Sequence, residues 1–327
     1  MDFQFREMAP QDKPRLLMFL WRQFGADSVQ CLPNRFEWQF ERYPGGSKIY
    51  LCFDRDRLIG QCCFLPVTLQ LGSESVSAAF SIDTMVDPEY RRRGIGERFH
   101  QIRLDNFQVA LSSGQSEANA QLYQKMGWRV LGRYFEYRLM RWIPKPQRPR
   151  AFLRDLVDYA RFQVRSRRGT KNLRTVVSPD CPDELHNRLD RGEVGEAFIK
   201  VERGYLTWRY REHPYFKYMS IQVFRGSEWL GACVARLTST GCCRVVDCYC
   251  PRDNFPAVLE GIARSVDAPC IEGALAGSPL REHFVAFGFR ILSTQQQIMG
   301  SSKDQSIREE LSRHDWLMFG GDSDNDR

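Results

Sequence analysis

The chain's 327 residues, 43% hydrophobic and 13% aromatic, suffice for two cored domains and are too apolar for a disordered chain. No apolar run approaches the roughly 20 residues that span a bilayer. The opening MDFQFREMAPQDK lacks a signal peptide's apolar core, so a cytoplasmic protein is expected.

Residues 3–6 fit a short strand, and 11–24 a helix whose apolar face is Leu16, Leu17, Phe19, Leu20 and Phe24. Strands follow at 49–53, 58–65 and 76–86. After the turn VDPEYRRRGIG comes a helix, 94–106, with Ile95, Phe99 and Ile102 at helical spacing. VALSS, 109–113, reads as a buried strand, 117–126 as a helix and 129–141 as a closing strand. Early strands followed by strand–helix–strand–helix predict a mixed α/β layer architecture with a central sheet.

IPKPQRPR, with three prolines in eight residues, ends regular structure, and 151–164 can then form a helix that RSRRGTK breaks. The net charge of +7 is concentrated here, in Arg141, Lys145, Arg148, Arg150, Arg154, Arg161, Arg165, Arg167, Arg168, Lys171 and Arg174. The stretch 145–174 could make peripheral contact with an anionic membrane surface. It lacks the interleaved surface aromatics of a single-strand binder, so nucleic acid is not expected.

Beyond it the first half recurs. Trp38, Phe40, Pro44 and Gly60 are matched by Trp208, Tyr210, Pro214 and Gly231 at offsets of 170, 170, 170 and 171, and YQKMGWRVL by FVAFGFRIL at 161. Two copies of one domain are expected, at 1–143 and 176–327, joined by a basic linker at 144–175. The second copy's VVDCYCPRDNFPAVLEGIARSV has neither glycine pair nor arginine run, and Pro256 stands where helix 255–265 should offer N–H donors. Eleven cysteines, an odd number without an export signal, predict free thiols. CCRVVDCYC, 242–250, alternates like a buried strand without paired CxxC spacing, so no metal is expected. Near the end, Trp316, Leu317, Met318 and Phe319 form an apolar anchor, after which Gly320 and Gly321 could turn Asp322 and Asp324 into a cleft.

The turn between strand 76–86 and helix 94–106 holds the candidate chemistry. A helix N-terminus offers free N–H donors and partial positive charge, which suits phosphate. Gly94 and Gly96 permit a close approach of backbone to ligand, and Arg91, Arg92 and Arg93 add charge-assisted bonds.

VDPEYRRRGIG resembles the pyrophosphate loop of the GNAT acyl-CoA-dependent acyltransferases, with Val86, Pro88, Arg91, Gly94 and Gly96 on the pattern. NAQLYQKMGWRV resembles that family's second signature through Leu122, Tyr123, Gly127 and Trp128, and FREMAPQDKPRLLMFL its first strand and helix. The resemblance covers residues 1–141. It implies two tandem GNAT-like domains, each a mixed, mostly antiparallel central sheet flanked by helices, the second degenerate and forming a wall of the substrate cleft. It further implies acetyl-CoA as co-substrate and direct transfer to a small-molecule or sugar amine, in polysaccharide or cell-envelope metabolism. Met85 and Val86 would pair with the pantetheine arm, and Arg91, Arg92, Arg93, Gly94, Ile95 and Gly96 would hold the pyrophosphate. Tyr123 would protonate the departing thiolate, since a tyrosine is protonated at neutral pH. The family's asparagine on the next helix is replaced by Ser116, with Asn119 three residues on; either could serve. The base is open, Asp83 being the carboxylate on the strand and Glu37 a more distant choice. Phe284 stands where the second copy would need the tyrosine. A non-catalytic acyl-CoA-binding regulator is the alternative.

Overall fold

The computed structural model describes residues 2–32, 34–143, 149–166, 172–181, 185 and 196–322. The first half forms β1 (Gln4–Glu7), α1 (Lys13–Phe24), β2 (Lys48–Asp54), β3 (Arg57–Leu71), β4 (Glu74–Val86), α2 (Ile95–Asn106), β5 (Val109–Ser113), α3 (Glu117–Lys125) and β6 (Arg129–Met140). Then come α4 (Pro149–Ser166), β7 (Leu173–Ser178), β8 (Ala197–Ile199), β9 (Met219–Arg225), β10 (Glu228–Leu237), β11 (Cys243–Tyr249), α5 (Phe255–Ser265) and β12 (Cys270–Ala276). The chain closes with α6 (Ser278–Phe287), β13 (Arg290–Ser301), α7 (Gln305–Arg313) and β14 (Trp316–Phe319).

Two compact units result, each with a mixed, mostly antiparallel sheet. The first comprises the residues up to Leu131 together with Ile298–Arg313. Its strands run β1-β2-β3-β4 antiparallel, then β5 parallel to β4, then the end of β13 antiparallel to β5. Phe64 and Ala79 from the sheet pack with Ile95, Phe99 and Ile102 of α2, the helical spacing seen in the sequence. The second unit, Gly132–Gln297 with the segment from His314, repeats the plan: β7-β9-β10-β11, then β12 parallel to β11, then β6 antiparallel to β12. The repeated aromatics are buried at matching places, Trp38 and Phe40 in one unit, Trp208 and Tyr210 in the other, each pair on a short π-helical turn.

Four sequence expectations change. The units do not cut the chain at 143 and 176, because each copy's closing strand completes the other sheet: residues 134–140 of β6 pair with 270–276, and residues 298–301 of β13 pair with 110–113. The described part of 144–175 is no free linker. Phe162 of α4 enters the second unit's core, and Arg290 binds Asp155 at 2.9 Å and Asp158 at 2.7 Å. Lys145, Arg148, Arg167, Arg168, Lys171 and Asp324 lie outside the described residues. Strand β3 runs on to Leu71, past Pro66; β2 begins with Lys48 opposite Phe64 and so has no residue beside Pro66, which accommodates a residue without an N–H. Finally, Cys242 and Cys270 form a disulfide, their Cα atoms 5.0 Å apart at the start of neighbouring strands, within bonding reach; the other nine cysteines keep their thiols.

Candidate active site

In the first unit β4 and β5 pair only over 78–80 and 109–111 and then part. A bulge makes the parting possible: Gln61 faces Met85 but Cys63 faces Ile82, leaving Asp83 and Thr84 opposite one residue, with Asp83 at φ 50°. The extra residue bends β4 and re-aims its end. The turn that follows is braced on itself. Asp87 accepts the Glu89 N–H at 3.1 Å and the Arg57 guanidinium at 2.9 Å. Arg91 donates to the Val86 carbonyl at 3.1 Å, and Arg93 to that of Glu89 at 3.1 Å while lying over the Tyr90 ring. Arg92 (φ 62°) and Gly94 (φ 78°) are both left-handed, which sends the chain straight from the turn into α2.

The result is a cavity of about 560 Å³ at the N-terminus of α2. Met85 and Val86 line one side, Arg91, Arg92, Gly94, Ile95 and Gly96 its floor, and Ser116, Asn119 and Leu122 of the next helix its far side. Nine of the ten residues expected to hold a coenzyme therefore meet around one space; Arg93 is spent on the turn itself. Ser116 caps α3 by accepting the Asn119 N–H at 3.3 Å. The chemistry on offer is that of a diphosphate: donors without acceptors in the first helical turn, guanidinium groups, and glycine where a ligand must come close.

The two residues expected to do chemistry stand outside that lining. Tyr123, beside Leu122, is 1% exposed; its ring stacks on Trp128 at 4.3 Å and meets the edge of His100 at 4.4 Å. Asp83 is held by Arg35 at 2.9 Å and Gln30 at 3.3 Å, with both members of the ion pair buried. The second unit keeps an aspartate at the matching strand position. Asp247 accepts the Tyr210 hydroxyl at 2.7 Å, the Tyr249 hydroxyl and the Cys248 N–H. Each aspartate ties its bulged strand to the segment before it, Asp83 through Gln30 and Arg35 and Asp247 through Tyr210. Glu37 is an exposed partner of Arg42.

Two residues that no motif or spacing singles out pack against the Tyr123–Trp128 pair. His100 and Arg103 of α2 are both fully buried. Arg103 donates to Ser81 Oγ at 2.7 Å and reaches His100 Nδ1 at 3.3 Å, its guanidinium over Phe64 and Trp128. Because arginine only donates, Nδ1 of His100 accepts and its proton sits on Nε2. Burial first, and the neighbouring Arg103 second, hold the His100 pKa well below the usual imidazole range. Each follows an apolar residue of the helix's inner face, Phe99 or Ile102, a spacing that polar flank residues share.

The matching opening of the second unit is filled by the chain itself. Strands β11 and β12 pair over 243–245 and 271–273; beyond that β14 pairs with β12 at Leu275 and Ala276. The turn after it carries Gly321, whose carbonyl accepts from Tyr205 at 2.6 Å and Arg209 at 3.1 Å, and a side chain there would strike Tyr210. Asp322 does turn inward, but its carboxylate takes the Phe319 N–H at 2.8 Å. Phe284 occupies the place of Tyr123, but it meets Phe289 edge-on at 5.1 Å where Tyr123 stacks on Trp128. Among the described residues the metal-ligand types gather at Cys242, Cys270 and Glu272, where the two sulfurs are bonded to each other.

The acetyltransferase (GNAT) domain family matches residues 4–131. Among solved structures, a conserved protein of Enterococcus faecalis V583 described as a probable N-acyltransferase superposes with a TM-score of 0.64 at 12% identity, over 92% of this chain and 72% of that one. Eis1 from Mycobacterium abscessus gives 0.60 at 15% identity, over 92% and 74%. A tandem GNAT protein from the clavulanic acid biosynthesis pathway gives 0.53 at 12%, over 92% and 98%. These identities establish a shared fold. No curated protein sequence matches the chain.

Proposed function

From the premise that residues 4–131 are a GNAT acetyltransferase domain in a tandem chain, we propose that the protein moves an acetyl group from acetyl-CoA to a primary amine by direct transfer. The coenzyme's diphosphate would lie across the first turn of α2, with Arg91 and Arg92 beside it. Its pantetheine arm would run between β4 and β5 along Met85 and Val86, completing the sheet where those strands part. One observation carries the reading: the end of β4 beyond its bulge, the left-handed turn and the N-terminus of α2 line the same cavity.

The amine would attack the thioester carbonyl, its nitrogen forming the new amide bond while the carbon–sulfur bond breaks and the pair leaves on sulfur. Tyr123 would supply the proton that the thiolate needs, and the amine's own proton would leave to water. A small-molecule or sugar amine is the acceptor class we propose, in polysaccharide or cell-envelope metabolism, and the cytoplasm the setting, where acyl-CoA is found. The test is thiol release from acetyl-CoA across a panel of amines. Tyr123→Phe should keep coenzyme affinity and lose turnover by about a hundredfold; unchanged turnover would remove Tyr123 from the mechanism.

A specific observation favours a second reading, a non-catalytic acyl-CoA sensor: Asp83 is engaged by Arg35, and Tyr123 lies behind the lining. Tight coenzyme binding with no thiol release on any amine would select it.

A further inference from the structure

Helix α4 has two opposite faces. Inward are Asp155, Asp158 and Phe162, fixed by Arg290 and the second unit's core. Outward, at intervals of four, three and four residues, are Leu153, Val157, Ala160 and Val164, a spacing that returns to one side of an α-helix. Leu153 is 61%, Val157 49% and Val164 58% exposed, so this stripe is unburied. Arg154 and Arg161 flank it, both open to solvent. Trp142 and Ile143, just before the helix in sequence, are exposed as well.

The charge of the stretch is equally lopsided in sign. Between 141 and 174 stand eleven basic residues and two acidic ones, nine net positive charges against seven for the entire chain. Both acids are on the inward face, where Arg290 binds them at 2.9 and 2.7 Å and Arg154 and Arg161 approach them at 3.8 and 3.7 Å from the solvent side. A solvated helix has no use for four aligned apolar residues, and a nucleic-acid surface would not need them.

We propose that α4 is an interfacial helix that lies flat on an anionic phospholipid bilayer, its apolar stripe at the acyl boundary and its arginines among the headgroups. The inference is independent of the acyltransfer reading. No covalent step is involved, and no residue of the cavity takes part.

The experiment is co-sedimentation of the full chain with phosphatidylcholine vesicles, pure or with about one-third phosphatidylglycerol. Wild type should partition at least roughly tenfold better onto the anionic vesicles, and lose that advantage in high salt. Leu153→Glu/Val157→Glu should abolish partitioning at low salt, and Arg154→Gln/Arg161→Gln should weaken it; these surface changes should leave thermal unfolding and thiol release unaltered. Failure of wild type to sediment, or sedimentation equal in the Leu153→Glu/Val157→Glu variant, overturns the proposal. So does a dimer in solution that this variant dissociates, which would make the stripe a contact between copies. Retention of single-stranded RNA without vesicle binding would assign the charge to nucleic acid instead.

Discussion

Tyr123, His100 and Trp128 form one ring cluster in which Arg103 leaves the imidazole Nδ1 no choice but to accept. Protonating that imidazole would put a second positive charge beside the first at a place closed to bulk solvent. The unfolded chain, with an ordinary histidine near pH 6.5, takes up the proton that the native one refuses. Stability therefore falls as pH drops below that value. Urea unfolding at pH 7.5 and 5 should show the loss in wild type and a flatter response in His100→Gln; equal slopes would mean that His100 is protonated in the native state. At this scale the sequence was informative where spacing sufficed. Tyr123 stood out because a glycine–aromatic pair follows it at a fixed interval. Its partners His100 and Arg103 were illegible, since only tertiary packing brings them beneath it. The face of Asp83 was illegible for a related reason: alternation assigns a face to each strand residue, and a bulge at that residue resets the count.

Elements were far more legible than contacts. The helix expected at 94–106 is Ile95–Asn106, and the strand expected at 109–113 is Val109–Ser113. Glycine, proline and apolar periodicity act locally, and those boundaries depend on local physics. The start of α2 depends on it most. Gly94 has open space where a Cβ would go, so its requirement is conformational: φ 78° costs an L-residue roughly 1–2 kcal/mol. Gly94→Val should shift the turn toward right-handed conformations, withdrawing the amides from the diphosphate. The variant should fold with little change in melting temperature yet bind acetyl-CoA at least tenfold more weakly by calorimetry. Wild-type affinity would show that the loop does not hold the coenzyme.

For the whole molecule, the near-constant offset revealed two copies but not that they trade closing strands. Residues 129–141 and 290–301 carry similar patterns, and each sheet offers an equivalent edge beside its fifth strand, so no local signal says which strand goes to which edge. The boundary at 143 fell accordingly. A fragment ending there would lack the strand that covers Ala110–Ser113 while keeping a β6 whose partner β12 is gone. Expressed alone, residues 1–143 should be insoluble or melt well below the full chain; a melting temperature equal to the intact protein's would show that the exchange is dispensable.

The same arrangement has a bearing on synthesis. Residues 298–301 and 316–322 emerge from the ribosome after everything they pair with, the first finishing one sheet and the second stopping the other's gap. Domains that close independently can fold one after another as they are made. Here the earlier half waits, with the flank of β5 bare, until residues 298–301 have been made, and a nascent chain stalled before that point would present chaperones with two unfinished sheets rather than one finished domain and a tail.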